Sequence, residues 1–213
     1  MQSKKLFALG GVAFVALVLA AILGFGGSTP GTDASAEKLA SFYSDNNVQQ
    51  FVTSFMLAAA TPFLVLFGIG LVDAWGRIES GAVSAWGFVL FAGTILTAGA
   101  VLVTTFAHLA LSDAADVGDA PTALQALNSL DGNTWMVFNP AFGIMLLGAA
   151  GTLFATGARR SVRWITLVLA IALFIPFADF FALLATLAWI VVTSIVLVRG
   201  APRPAYVAAP GTA

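Results

Sequence analysis

The sequence predicts an all-α fold, a polytopic transmembrane helical bundle with six spans whose N and C termini are both cytoplasmic. Three observations lead to this prediction. The 213 residues are 60% hydrophobic and only 9% charged, whereas soluble domains carry roughly 25% charged residues. The apolar residues form long runs, and the few charges cluster between those runs. The basic clusters also fall on one side of the predicted spans, as expected of cytoplasmic loops.

Four runs are long enough to cross a membrane on their own. A spanning helix needs about 20 apolar residues, because the hydrocarbon core is ~30 Å thick and the helix rises ~1.5 Å per residue. The four runs lack Asp, Glu, Lys and Arg, and they cover residues 6–26, 51–72, 85–109 and 134–157. The first follows Lys4 and Lys5, as in a signal peptide. It exceeds the about 7–15 apolar residues of a signal peptide, so we expect a retained helix.

The last apolar stretch, residues 162–198, is too long for one span. Pro176 lies near its middle and Asp179 follows. Proline breaks the helical hydrogen-bond ladder, and a carboxylate avoids the bilayer centre. We therefore predict a helical hairpin with spans 162–177 and 180–198, rather than one long kinked helix. Three prolines in residues 201–213 predict a disordered cytoplasmic tail.

The charge distribution supports this topology. Six spans place eight of the nine Lys and Arg residues on the side of Lys4 and leave only Lys38 on the other side. Eight of the ten acidic residues fall on the side of Lys38. A five-span chain would move Arg199 and Arg203 to the acidic side. We expect a multi-pass protein of the plasma (cytoplasmic) membrane.

Each of the two long outward loops, residues 27–50 and 110–133, contains a predicted short amphipathic helix. Asp33 or Ser35 suits the cap of the first helix, and Pro121 suits the first position of the second. Apolar residues recur on one side of each helix: Leu39, Phe42 and Tyr43 in the first, Leu124, Leu127 and Leu130 in the second. Such helices can lie on the membrane surface or cover the bundle.

The sequence predicts neither a cofactor nor a metal site. It contains no cysteine and a single histidine, which excludes disulfides, thiolate sites and bis-histidine haem ligation within the chain. The acidic run Asp113, Asp116 and Asp119 has two interpretations, a weak divalent-cation site or a solvated loop. We expect the solvated loop, because the run lacks the oxygen spacing of a dedicated calcium loop.

Polar residues inside predicted spans are the candidate functional residues, because burying them in a membrane is costly. They are Thr94, Thr97, Thr104, His108, Asn139 and Asp179. One interpretation is an outward-opening polar cavity in which His108 and Asp179 lie close enough to pair. In the other, the threonine hydroxyls bond to their own helix, His108 is hydrated at the interface and Asp179 is a solvated turn residue.

Most of the chain follows a characteristic order of segments. Phe42-Tyr43-Ser44-Asp45 precedes the second span, a short Arg-containing turn and an Ala/Gly/Thr-rich third span follow, and Trp189-Ile190-Val191-Val192-Thr193-Ser194 comes near the end. This order resembles small multi-span membrane proteins of actinobacterial type, akin to the DUF4386-type group. The resemblance implies a similar membrane bundle and brings no assigned activity or cofactor.

Three functions follow from these features. We expect a non-enzymatic protein that acts by binding, as an accessory or scaffold subunit or by binding lipid. Its partners would be membrane lipids and a partner membrane protein or a second copy of the chain, with no nucleic acid. Two stripes of small residues suit helix association: Ala16, Ala20 and Gly24, and Gly148, Thr152 and Thr156.

The alternative is a small-molecule transporter or channel that uses the polar cavity. Pro62 and Pro140 favour it, because prolines can open helices within a membrane. An intramembrane enzyme with His108 as its base has the least support, because a general base needs an orienting partner and no acid lies within its span.

Overall fold

A computed structural model describes residues 2–26, 29–78, 80–117 and 121–200. Within these ranges the named elements are all helices, which confirms the all-α class. They are α1 Gln2–Leu19, α2 Ala36–Asp45, α3 Asn47–Trp75, α4 Ala85–Val117, α5 Pro121–Gly132, α6 Trp135–Ala155, α7 Arg160–Ala172 and α8 Asp179–Val198. A π-helical segment, Ala20–Gly26, continues α1. The predicted tail lies outside the described residues.

Five helical segments are long and apolar enough to cross a membrane. They are Leu6–Gly24, Asn47–Trp75, Ala85–Ala115, Pro121–Ala155 and Asp179–Val198. The fourth of them combines α5 with α6. Helix α7 has only 13 residues, or about 20 Å of rise, and is too short to qualify alone. The sixth span therefore stays a prediction.

The chain reverses direction between α7 and α8. The indole Nε1 of Trp189 donates a hydrogen bond to the Thr166 hydroxyl at 3.0 Å, and these residues lie at similar distances before and after Pro176. Such a contact requires antiparallel helices. Phe177 has a positive φ of 70°. The backbone N–H groups of Ala178 and Asp179, which follow Phe177, both donate hydrogen bonds to the carbonyl of Ile175. Residues 162–198 thus form a hairpin and not one kinked helix.

Helix α4 lies between α3 and α6 and contacts both closely. A Cβ atom added to Gly93 would overlap the backbone of Met145, and one added to Gly148 would overlap the backbone of Leu90. Glycine therefore permits α4 and α6 to approach backbone to backbone. Helices in lipid associate through such close packing, since lipid tails are as apolar as leucine.

Two hydrophobic cores result. The larger core fills the bundle and includes Leu64, Phe67, Met145 and Ile190. The smaller core lies at one end of the bundle, where α2 and α5 pack on the last turns of α4. It consists of Leu39, Tyr43, Leu111, Ala115 and Leu124. We call α2, α5 and residues 109–115 of α4 the cap. The end of the bundle that carries Arg77 and Arg163 lies opposite.

The two small-residue stripes have different surroundings. Gly148, Thr152 and Thr156 are buried within the bundle. Ala16, Ala20 and Gly24 are exposed, and an added Cβ at Gly24 would meet no atom within 4 Å. Helix α1 instead approaches α3 through Gly10, where a Cβ would lie 2.6 Å from the carbonyl oxygen of Phe63. Among the described residues, the first predicted stripe therefore does not pack helices against one another.

We expect Gly148→Ala to destabilise the bundle and Gly99→Ala to leave it intact. The new methyl group at position 148 would displace the backbone of Leu90, at a cost of about 1–3 kcal/mol. Gly99 is exposed with open space around it, so alanine there should stabilise the helix by up to about 1 kcal/mol. Denaturant-induced unfolding of both purified variants in detergent measures the difference. Equal stabilities would contradict the proposed contact.

Candidate functional site

The threonine stripe of α4 bonds to its own helix. The hydroxyls of Thr94 and Thr97 donate to the carbonyls of Leu90 and Gly93, both at 2.8 Å. The hydroxyl of Thr104 donates to the Ala100 carbonyl at 3.1 Å. Each hydroxyl proton is thereby used within one turn, which makes these residues tolerable in an apolar bundle. The geometry matches the second interpretation of the stripe.

His108 lies where four helices meet, at the junction of the cap with the bundle. Its Nε2 atom is 2.7 Å from the side-chain oxygen of Gln50 on α3. Its Nδ1 atom is 3.1 Å from a carboxylate oxygen of Asp131 on α5. The ring of Tyr43 on α2 packs edge-to-face against the imidazole, with the ring centroids 5.7 Å apart. We call His108, Gln50, Asp131 and Tyr43 the cap joint.

The cap joint is enclosed. The side chains of His108 and Asp131 are 13% and 16% exposed, and Gln50 and Tyr43 are buried. Burial raises the pKa of Tyr43, and the nearby Asp131 carboxylate raises it further. The neutral phenol is therefore strongly favoured at this position. Its hydroxyl group has no hydrogen-bond partner among the described residues.

The hydrogen bonds of His108 can be completed in two ways. With the Gln50 oxygen facing the ring, both nitrogens face oxygen acceptors, which only the doubly protonated imidazole can satisfy. With the Gln50 amide rotated, its NH₂ group donates to Nε2, and a neutral ring donates only to Asp131. The two states differ by one proton and one amide rotation. Both hold the bundle helices α3 and α4 to α5.

Asn139 and Asp179 form a second polar contact. The side-chain NH₂ of Asn139 on α6 donates to an Asp179 carboxylate oxygen at 3.0 Å. The other carboxylate oxygen accepts a bond from the backbone N–H of Phe180 at 2.9 Å. Both side chains are buried, although Asp179 was expected at a solvated turn or in a cavity. The Asn139 oxygen has no partner among the described residues.

The structure therefore separates the six predicted residues into three groups. Asn139 and Asp179 bond to each other, and the three threonines bond to their own helix α4. His108 belongs to the cap joint. The pairing of His108 with Asp179 in the first interpretation is wrong, because both imidazole nitrogens are engaged by Gln50 and Asp131. His108 does have an orienting acid, although none lies within its span, because Asp131 comes from another helix. A partner distant in sequence leaves no signal in the span itself.

The cap residues were identified only in part. Ser35, rather than Asp33, caps α2, because its hydroxyl oxygen accepts a hydrogen bond from the backbone N–H of Lys38 at 3.4 Å. Leu39 and Tyr43 are buried as the pattern predicted. On α5, Leu124 is buried, whereas Leu130 is exposed. The helical pattern thus located both cap helices, while nothing in it indicated the polar contacts beneath them.

The described residues contain no group of three His, Cys, Asp or Glu side chains placed to hold a metal ion. In the acidic run, Asp113 is exposed. The side chain of Asp116 and the whole of Asp119 lie outside the described part. Asp73 and Arg77 form a helix-end ion pair at 3.1 Å near the opposite end of the bundle, where exposed pairs contribute little.

Comparison with known protein families, curated proteins and solved structures finds no match to this chain. The resemblance to DUF4386-type proteins therefore stays a prediction. Function has to be inferred from the geometry alone.

We expect His108→Ala to loosen the cap. The substitution leaves the buried Gln50 and Asp131 without their partner, which costs about 1–3 kcal/mol. Amide hydrogen exchange in α2 and α5 should accelerate, while exchange in α6 stays unchanged. Thr104→Val is the matched control one turn away, since its hydroxyl bonds only to its own helix. Equal exchange in the two variants would contradict a structural role for the cap joint.

Tyr43 should make cap stability fall at alkaline pH. Its pKa is higher in the folded chain than the ordinary value of 10.0, so the folded state holds the proton more tightly than the unfolded state. The contribution of the protonated Tyr43 phenol to the free energy of unfolding is therefore complete below pH 10.0. It is lost as the pH rises above that value. Tyr43→Phe should abolish this loss and leave neutral-pH stability equal or higher, because it removes an unpartnered hydroxyl. Tyr206→Phe is the control; an alkaline loss that persists in Tyr43→Phe would refute the assignment.

Proposed function

We propose that the chain is a non-enzymatic, multi-pass protein of the plasma membrane that acts by binding, as an accessory or scaffold subunit. In this proposal the bundle is the membrane anchor and the cap is the surface offered to a partner. The observation that carries it is the cap itself, which has its own hydrophobic core and its own polar joint. Loops that only connect spans need neither a hydrophobic core nor enclosed polar contacts of their own.

Two further contacts support an ordered cap. The Asn128 side chain of α5 donates to the backbone carbonyl of Gly31 at 2.9 Å. A Cβ added to Gly132 would overlap the side chain of Thr32. The segment before α2 is thus fastened to α5. A surface fixed at several points binds a partner with less loss of conformational entropy than a mobile loop does.

The same geometry gives little support to catalysis. His108 is the only histidine, and Gln50 occupies the ring nitrogen that Asp131 leaves free. A general base needs that nitrogen within reach of a substrate proton. We therefore retain the non-enzymatic proposal, even though His108 has the orienting carboxylate that an enzyme would need.

The proposed topology has six spans, with the cap outside the cell and both termini in the cytoplasm. The hairpin of α7 and α8 supports six spans, because α7 and its turn together run beside the 20-residue α8. The basic residues support the orientation, since six spans gather eight of nine at the end opposite the cap. Lipids then surround the exposed apolar side chains of the bundle.

A transporter or channel is the second candidate function. The observation in its favour is the contact between Asn139 and Asp179, because a buried carboxylate within a membrane bundle often marks a substrate path. Pro140 directly follows Asn139 inside α6. The self-bonded threonines of α4 weigh against a continuous polar path.

Native mass spectrometry of protein gently extracted from its own membrane tests the first proposal. We expect the wild-type chain to carry additional protein mass, either a second copy or a partner. Gln125→Arg places a charge on the exposed face of α5 and should weaken that complex about tenfold or more. Ser80→Arg, exposed near the opposite end, is the matched control and should have no effect.

A bare monomer for the wild type would contradict the binding proposal. The same loss in both arginine variants would contradict the assignment to the cap. Flux measurements in proteoliposomes then test the second candidate. Selective flux that is abolished by Asn139→Ala and retained in Thr104→Val would establish transport.

A further inference from the structure

An apolar groove lies at the end of the bundle opposite the cap. It has a volume of about 490 Å³, within the range of roughly 300–1,000 Å³ found for ligand sites. It lies between the start of α4, the last two turns of α6 and the middle of α7. Its lining includes Trp86, Leu147, Ala150, Phe154 and Leu167.

Arginines cluster at the start of α7, the helix that supplies Leu167 to the groove. Arg159, Arg160 and Arg163 occur within five residues, and no acidic residue lies between Phe154 and Trp164. The guanidinium carbon of Arg163 is 5.0 Å from the centroid of the Phe154 ring. Phe154 also lines the groove. The charged cluster and the apolar groove therefore meet at one side chain.

No neighbouring acid among the described residues neutralises these arginines, because no carboxylate there pairs with any of the three. The Nε atom of Arg163 is buried without a hydrogen-bond partner among those residues. A charged donor without a partner is costly, so an acceptor supplied by a ligand would stabilise this side chain.

Helix α7 adds to the positive potential. It begins at Arg160, and the preceding Arg159 makes no side-chain capping bond. The first backbone N–H groups of α7 thus lack a side-chain acceptor, and the helix dipole places partial positive charge there. Together with the three arginines, the start of α7 attracts an anion such as a phosphate group.

We propose that the groove binds one anionic phospholipid, with its phosphate group at the arginines and an acyl chain along the apolar lining. A soluble phosphate would use only the charged end, whereas a phospholipid uses both parts of the site. The lining extends from Phe154 to Leu147, about 10 Å along α6, which suits the first part of an acyl chain. The proposed six-span topology puts this end at the cytoplasmic leaflet, where basic pockets between helices recognise anionic headgroups.

This inference goes beyond the proposed function, because it assigns a ligand to the end of the bundle away from the cap. Its test is independent of any partner that binds the cap. The full chain, purified in mild detergent, is titrated with phosphatidylglycerol and with phosphatidylcholine of the same acyl chains. Native mass spectrometry measures the bound fraction of each. We expect phosphatidylglycerol to bind about tenfold more tightly or better.

Variants separate the two parts of the site. Arg163→Gln should reduce phosphatidylglycerol binding to the level of phosphatidylcholine. Arg199→Gln removes an equal charge from the exposed end of α8 and should leave binding unchanged. Ala155→Phe fills the groove and should weaken both lipids. Circular dichroism and thermal unfolding verify that each variant is folded.

Three results would overturn the proposal. The first is equal binding of the two lipids by the wild type, which indicates only the lipid that surrounds any membrane protein. The second is an equal loss in Arg163→Gln and Arg199→Gln. The third is displacement of phosphatidylglycerol by excess inorganic phosphate, which indicates a soluble-anion site instead of a phospholipid site.

Discussion

The close approach of α4 to α6 is the contact on which the rest of the structure depends. Backbones meet at Gly93 and Gly148, where any side chain would separate them. A bundle surrounded by lipid gains little from burying apolar surface between its helices, so packing at short range has to hold it together. With α6 fixed against it, α4 continues past the bundle to Val117. That extension supplies Leu111 and Ala115 to the core of the cap.

Polar groups follow a second constraint, which is that each must find a partner where water is scarce. A threonine hydroxyl finds its partner within one turn of its own helix. The polar stripe along α4 therefore does not require a functional site. His108 and Asp179 cannot find their partners in that way, and each takes partners from other helices. The polar contacts that join distant segments are therefore those of the larger side chains. The contacts of His108 hold the cap to the bundle, and the contact of Asp179 with Asn139 holds α8 to α6.

The two ends of the bundle differ in chemistry. At the cap end, an enclosed histidine bonds to a carboxylate through one ring nitrogen and to a glutamine through the other. At the other end, Arg163 packs on Phe154, which lines an apolar groove, and no carboxylate among the described residues pairs with it. An enclosed histidine and carboxylate that bond to each other stabilise structure, whereas an unpartnered cationic side chain beside a groove favours a ligand. This contrast is the reason why we assign protein binding to the cap surface and lipid binding to the groove.

The sequence by itself determined the helical class, the positions of the long apolar helices and the two cap helices. These depend on composition and on spacing within one segment, which hydrophobic burial and helix geometry fix locally. It also located the reversal near Pro176, because proline and a following carboxylate disfavour a continuous span. Only the tertiary structure decided that His108 meets Gln50 and Asp131 and not Asp179, and that Arg163 lies over Phe154. Such contacts join residues on different helices, and their formation depends on how the helices rotate and pack, which no single segment specifies.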